Sequence, residues 1–409
     1  MRLKLVFISL LLLCLLGAGC SSAQDFDSHL NSIVDPYRFN WVMWELESLC
    51  YEIGQWFSGD SVEPEDQPAT VIEYFELGEQ IRSLEWEIAT VGAGNEEGDL
   101  AALEAELESL QEQRAALTSS VERIIASQIR EVLAEQGIFH PAYQYIGLEI
   151  SFPPLNFRLG ELPHLLVVSP RESIESMREI ALRADLALEE IESIEEQVDE
   201  LGVSALVVRL GGAGALYPTL VTDNASLQFT INAAVEEWLH QYLAFKPLGF
   251  LYILDLLGIS RNYEIATMNE TLASMVSDEI GAIVLERYYP EYVNNGQPQD
   301  GGGFDFNQEM REIRITVDQY LAQGETELAE EYMEERRQYL ASTGYYIRKL
   351  NQAYFAFYGA YADSPTSVSP IGAELRELRE QSASLGDFLE TVAGMSSRQE
   401  LSDILSESQ

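Results

Sequence analysis

The chain has 409 residues, 46% of them hydrophobic, enough to bury one large core or two. Its 68 acidic residues against 24 basic ones give a formal net charge of -44. Such a surface repels phosphate backbones and anionic headgroups, which excludes nucleic acid as a partner.

Residues 1–19 have a charged start (Arg2, Lys4), an apolar run over 5–16 and the small residues Gly17, Ala18 and Gly19, the order of a secretory signal. Because the small residues end on Cys20, followed by Ser21 and Ser22, the segment resembles a bacterial lipoprotein signal. That resemblance implies a lipidated Cys20 as the first mature residue and a chain working outside the cytoplasm, anchored to the cell membrane. Cleavage near Ala23 in an ordinary secreted protein is the alternative. With Cys14 in the signal and Cys20 carrying lipid, Cys50 stands alone and no disulfide framework forms. No later apolar run approaches the roughly 20 residues that span a bilayer; the nearest, 248–259, contains Asp255 and reads as a buried helix or core segment.

After a short tether, an aromatic-rich stretch over 27–57 has helical spacing, and the Pro, Gly and acid of SGDSVEPEDQPAT end it. Helices are predicted over 71–89 and 99–136, with Leu100, Leu103, Leu107, Leu110 and Leu117 on a three-four spacing, which makes an antiparallel hairpin. Short β-branched runs over 145–152, 165–169 and 205–210 read as strands, with a long acidic helix over 172–201 between the last two. GGAGALYPTLV over 211–221 is extended, and its glycines permit close backbone approach, which suits an edge strand lining a cleft. The next helix carries VEEWLHQYL, with Asp223, Asn224 or Ser226 as N-cap. Beyond Pro247 the chain reads as helical over 248–257, 265–289, 307–321, 326–361 and 371–391, with a Gly/Asn/Asp-rich loop over 294–303.

On a helix Glu236 and His240 lie four apart and share a face, with Glu237 one step around. That is the geometry of H-E-x-x-H, in which two ligands at i and i+4 hold a metal and the glutamate at i+1 takes a proton from water. Here glutamate, itself a competent zinc ligand, replaces the first histidine. A third ligand has to come from elsewhere, and on a later helix Glu270, Ser274 and Ser277 or Asp278 share one face.

The EExxH helix, the Asn-Glu pair 30 residues after His240 and the preceding edge strand resemble the thermolysin-like zinc peptidases, the gluzincins. IRKLNQAYFAFYGAYA and SPIGAELRELRE are similar to the C-terminal part of predicted bacterial lipoprotein aminopeptidases of that type. The resemblance implies zinc or another divalent metal on Glu236, His240 and Glu270, with Glu237 as general base. Tyr217 and Tyr354 are candidate phenol donors to a developing oxyanion. His140 and His164 could replace the missing ligand, and His29 lies near the tether.

The expected fold is α+β and predominantly helical: a zincin-like small β-sheet with an active-site helix, a following helical lobe, and an N-terminal helical hairpin. The expected divisions are 1–20 (signal and lipidated cysteine), 21–138 (helical region), 139–246 (sheet and metal-site helix) and 247–409 (helical lobe). The expected activity is hydrolysis of peptide bonds in a peptide or protein substrate, aminopeptidase-like in the resemblance. Two alternatives stand beside it: an inactive zincin-derived lipoprotein that binds a peptide or envelope protein, and a structural helical envelope protein.

Overall fold

The computed structural model describes residues 23–40, 66–93, 98–139, 155–214, 217–295 and 304–407. The signal, Cys50, His140, the strand expected over 145–152 and most of the loop over 294–303 lie outside the described residues. The architecture is α+β and predominantly helical, with fourteen α-helices and two three-stranded sheets among the described residues.

Helix α1 (Ala23–Val34) ends in a 3₁₀ turn, and α2 (Gln67–Gly92) and α3 (Leu100–Glu135) follow as the antiparallel pair. Asp99 caps α3 by accepting from Ala102 N at 3.3 Å. Only the C-terminal half of α3 is buried, where Val121, Ile125, Ile129 and Val132 enter the main core; Leu103, Leu107, Leu110 and Leu117 are partly exposed.

Strands β2 (His164–Pro170) and β4 (Val203–Arg209) appear where β-branched alternation places them. The acidic segment between them is not one helix. Arg178–Leu182 forms β3, pairing antiparallel with β2 (Leu166↔Ile180), and only Leu188–Asp199 is helical, as α4. Ile180 and Leu182 alternate into a core that the α1 and α4 side chains close, and that burial overrides local helix preference. The order is β3-β2-β4.

The second sheet has the order β1-β6-β5, formed by β1 (Phe157–Gly160), β6 (Thr219–Thr222) and β5 (Gly212–Ala213). The extended segment therefore divides, and its glycine end, β5, is the edge strand. Helix α5 (Leu227–Leu243) starts at Ser226, whose Oγ accepts from Phe229 N at 3.2 Å.

Helices α6 (Pro247–Leu256), α7 (Tyr263–Tyr288) and α8 (Pro290–Asn295) follow. Helix α6 is not the buried helix its composition suggests: Leu248, Gly249 and Asp255 are its only buried residues. Helices α9 (Phe306–Ala322) and α10 (Thr326–Ser342) pair, and the long helix expected over 326–361 breaks at Gly344 (φ 98) before α11 (Gln352–Tyr358), capped by Asn351. The helix expected over 371–391 divides likewise at Ser384, the N-cap of α13 (Leu385–Ala393), after α12 (Ile371–Gln381); α14 (Arg398–Glu407) ends the described chain. The largest core joins α2, α3, α5 and α7 to α12–α14, and α5 crosses α7 at its centre.

Candidate functional site

Helices α5 and α7 bring the candidate metal ligands together. Ligand atoms of Glu236, His240 and Glu270 all lie within 4.8 Å of one another, the one such group of His, Cys, Asp or Glu among the described residues. His240 Nε2 is 3.6 Å from Glu270 Oε2, with side-chain exposures of 17% and 12%. Ligands bound at about 2.1 Å in a tetrahedron stand roughly 3.4 Å apart, so the pair is already at that spacing and Glu236 must close by up to about 1.4 Å.

Each of the three groups is held by a neighbour. Asn269, fully buried on α7, accepts at Oδ1 from His240 Nδ1 at 2.9 Å, which puts the ring proton on Nδ1 and leaves Nε2 to face the cluster. Tyr252 of α6 donates its hydroxyl to Glu270 Oε1, and its ring stacks on His240 at 5.8 Å. Tyr361, after α11, donates to Glu236. The backbone of Gly214 donates to Glu237, whose carboxylate packs on β5 so closely that a Cβ at Gly212 or Gly214 would collide with it.

Burial, reinforced by the adjacent Glu237, pushes Glu236 up to about 8, and burial with the Glu270 charge pushes Glu237 up to about 7. Burial opposes charge on His240, but Glu270, Glu237 and Glu236 together hold it above the ordinary imidazole value. The donor set of two carboxylates and one imidazole fits a divalent cation, whose charge would offset this crowding of like charge.

The other sequence candidates have the following neighbours. Tyr217 has its hydroxyl 3.5 Å from Asn156 Nδ2 and in the field of Arg130. Tyr354 packs on Tyr358 at 4.5 Å, between the β2/β4 face and the α9–α10 pair. His164 is buried at the start of β2 with Nδ1 3.2 Å from Arg183 O, and His29 is exposed on α1. Asp278 accepts from Asn232 at 2.7 Å rather than from His240, and Ser274 donates to Asp363 at 2.8 Å. The phenols at the cluster are Tyr252 and Tyr361. Tyr252 sits in a helix whose composition reads as core, and Tyr361 at the end of an expected helix, so neither carried a spacing signal.

Comparison with protein-family models, curated proteins and solved structures returns no match for this chain.

Proposed function

We propose that the chain is a metal-dependent peptidase, anchored outside the cytoplasm through Cys20. The observation that carries this is the convergence of Glu236, His240 and Glu270 beside a fourth carboxylate, Glu237, which lies against an edge strand. A divalent ion held by the three would supply Lewis acidity toward a carbonyl oxygen. An extended substrate pairing with β5 would lie beside Glu237, which takes the proton of the attacking water and returns it to the leaving amine. Tyr252 and Asn269 keep Glu270 and His240 in place.

Glutamate at 236 changes the chemistry. Two carboxylates neutralise a divalent ion that one would leave at +1, so the ion acidifies water less and turnover is slower than with histidine there. The oxygen-rich set also favours manganese or calcium over zinc. The same residue supports a second reading, a protein that binds a peptide or envelope protein without cleaving it.

Metal analysis and peptide hydrolysis on the purified protein separate these. On the first reading the wild type holds one divalent ion per chain, His240→Ala loses it, and Glu237→Gln keeps the ion while hydrolysis falls by about 100-fold or more. A metal-free, inert wild type that gains both metal and hydrolysis on Glu236→His would establish the binding reading instead.

A further inference from the structure

Helix α6 and the turn after it carry an exposed apolar surface. Phe245, Phe250, Leu256, Leu257, Ile259 and Tyr263 are between 39% and 69% exposed, all within 19 consecutive residues. Phe250, Ile253 and Leu257 fall on one face of the helix by their three-four spacing. Residues 244–263 contain a single acid, Asp255, which is buried, and two bases, Lys246 and Arg261. Lys246 is paired with Glu390 at 2.6 Å and Arg261 lies 3.9 Å from Asp255, so the stretch carries no net negative charge on a chain of net charge -44. Ten helical residues rise only about 15 Å, half a bilayer core, and no described helix is long and apolar enough to cross a membrane.

The N-terminus says where a bilayer would lie. Helix α1 begins at Ala23, and Asp27 pairs with Arg178 of β3 at 3.0 Å. Three extended residues and one helical turn allow Cys20 to reach only about 15–20 Å from that ion pair. The next residue of β3, Glu179, points to the opposite face of the strand, within electrostatic reach of Arg261 and Asp255. Strand β3 is therefore flanked by the anchored helix on one face and by the α6–α7 turn on the other.

We propose that residues 245–263 are a second membrane contact, in which the exposed face of α6 and the turn through Ile259 seat in the interfacial layer of the bilayer that holds Cys20. Arg261, with its side chain 49% exposed, would lie at headgroup level. The inference rests on the lipid anchor and not on the metal. Because Tyr252 of the same helix bonds Glu270, the proposed metal site would work at the bilayer surface.

The test uses the full chain expressed with its own signal, in a Cys50→Ser background, reconstituted into phosphatidylcholine vesicles. Single spin labels go on Leu257→Cys and Ile259→Cys, with Tyr346→Cys, 86% exposed, as the aqueous control. The mass of the N-terminal peptide reports acylation of Cys20 independently. The expected result is that labels at 257 and 259 collide several-fold more with oxygen, relative to a polar nickel chelate, than the label at 346. Equal ratios at all three sites in vesicle-bound, acylated protein overturn the proposal. Labels at 257 and 259 shielded from both relaxants equally without vesicles, with a doubled mass in detergent, overturn it in favour of a second copy on this face. Should Cys20 prove unacylated, the anchor reading fails by itself. In that case flotation of the unacylated chain with vesicles, reduced at least 10-fold in Phe250→Ser/Leu257→Ser/Ile259→Ser, still supports the contact, and no flotation overturns it.

Discussion

Glycine decides the position of the fourth carboxylate. A Cβ at Gly214 would stand 2.6 Å from Glu237 Oε2 and 2.7 Å from its backbone oxygen, and backbone cannot give way as a side-chain tip can. On the proposed peptidase reading, Gly214→Ala is therefore expected to lower peptide hydrolysis by about 100-fold through displacement of Glu237 by about 1 Å, with metal content unchanged. Asp363 offers a test away from the ligands. Burial raises its carboxyl above the ordinary range, against the Ser274 hydrogen bond and the Arg376 charge. A folded value above the unfolded one means that its stabilising contribution is full below the unfolded value, near pH 4, and is lost as pH rises through the folded value. Asp363→Asn keeps an acceptor for Ser274 with no charge to desolvate. Thermal scans should show its Tm above wild type at pH 7 to 8 and equal to it near pH 4. At this scale Glu236, Glu237 and His240 were legible, because helical spacing alone fixes their relation. Tyr252 and Tyr361 were not, since the carboxylates they hold are 18 and 125 positions away in the chain.

Among the elements, the crossing of α5 and α7 matters most, since one brings Glu236 and His240 and the other Glu270. At that crossing Gly281 lies directly under Asn232, leaving no room for a Cβ, and Asn232 donates to Asp278 at 2.7 Å. Gly281→Ala should cost about 1–3 kcal/mol in urea denaturation by forcing the helices apart or turning Asn232 out of its hydrogen bond. Trimming Asn232 in the Gly281→Ala background should recover part of that loss. Periodicity identified α2, α3, α5, α7 and α9 to within a few residues of their ends. It failed for β3, where pairing with β2 and burial of Ile180 and Leu182 outweigh a sequence compatible with helix. It also missed the left-handed Gly344, which ends α10 although helix-forming residues continue.

For the whole molecule, ion pairs join segments distant in the chain. Arg348 places two nitrogens on Glu195 of α4, at 2.6 and 2.8 Å, and a third hydrogen bond on Val207 O of β4 at 3.1 Å. The Glu195 side chain is 3% exposed and also accepts from Val207 N at 2.6 Å, so loss of Arg348 leaves a buried carboxylate with Lys349 at 3.7 Å. Arg348 itself is 34% exposed, and water would relieve part of that cost. Arg348→Ala is expected to destabilise by about 1–3 kcal/mol, below the range for a fully buried pair, and to lower the denaturant midpoint without altering metal content.

The sequence alone determined the acidic character, the predominantly helical α+β class and the i, i+4 pairing of Glu236 with His240, because composition and helical period are local properties. Tertiary structure decided the rest. Whether Glu270 meets that pair depends on a helix crossing, and whether α6 is buried depends on what covers it. The same apolar residues can fill a core or face outward, and only the packing of distant segments distinguishes the two.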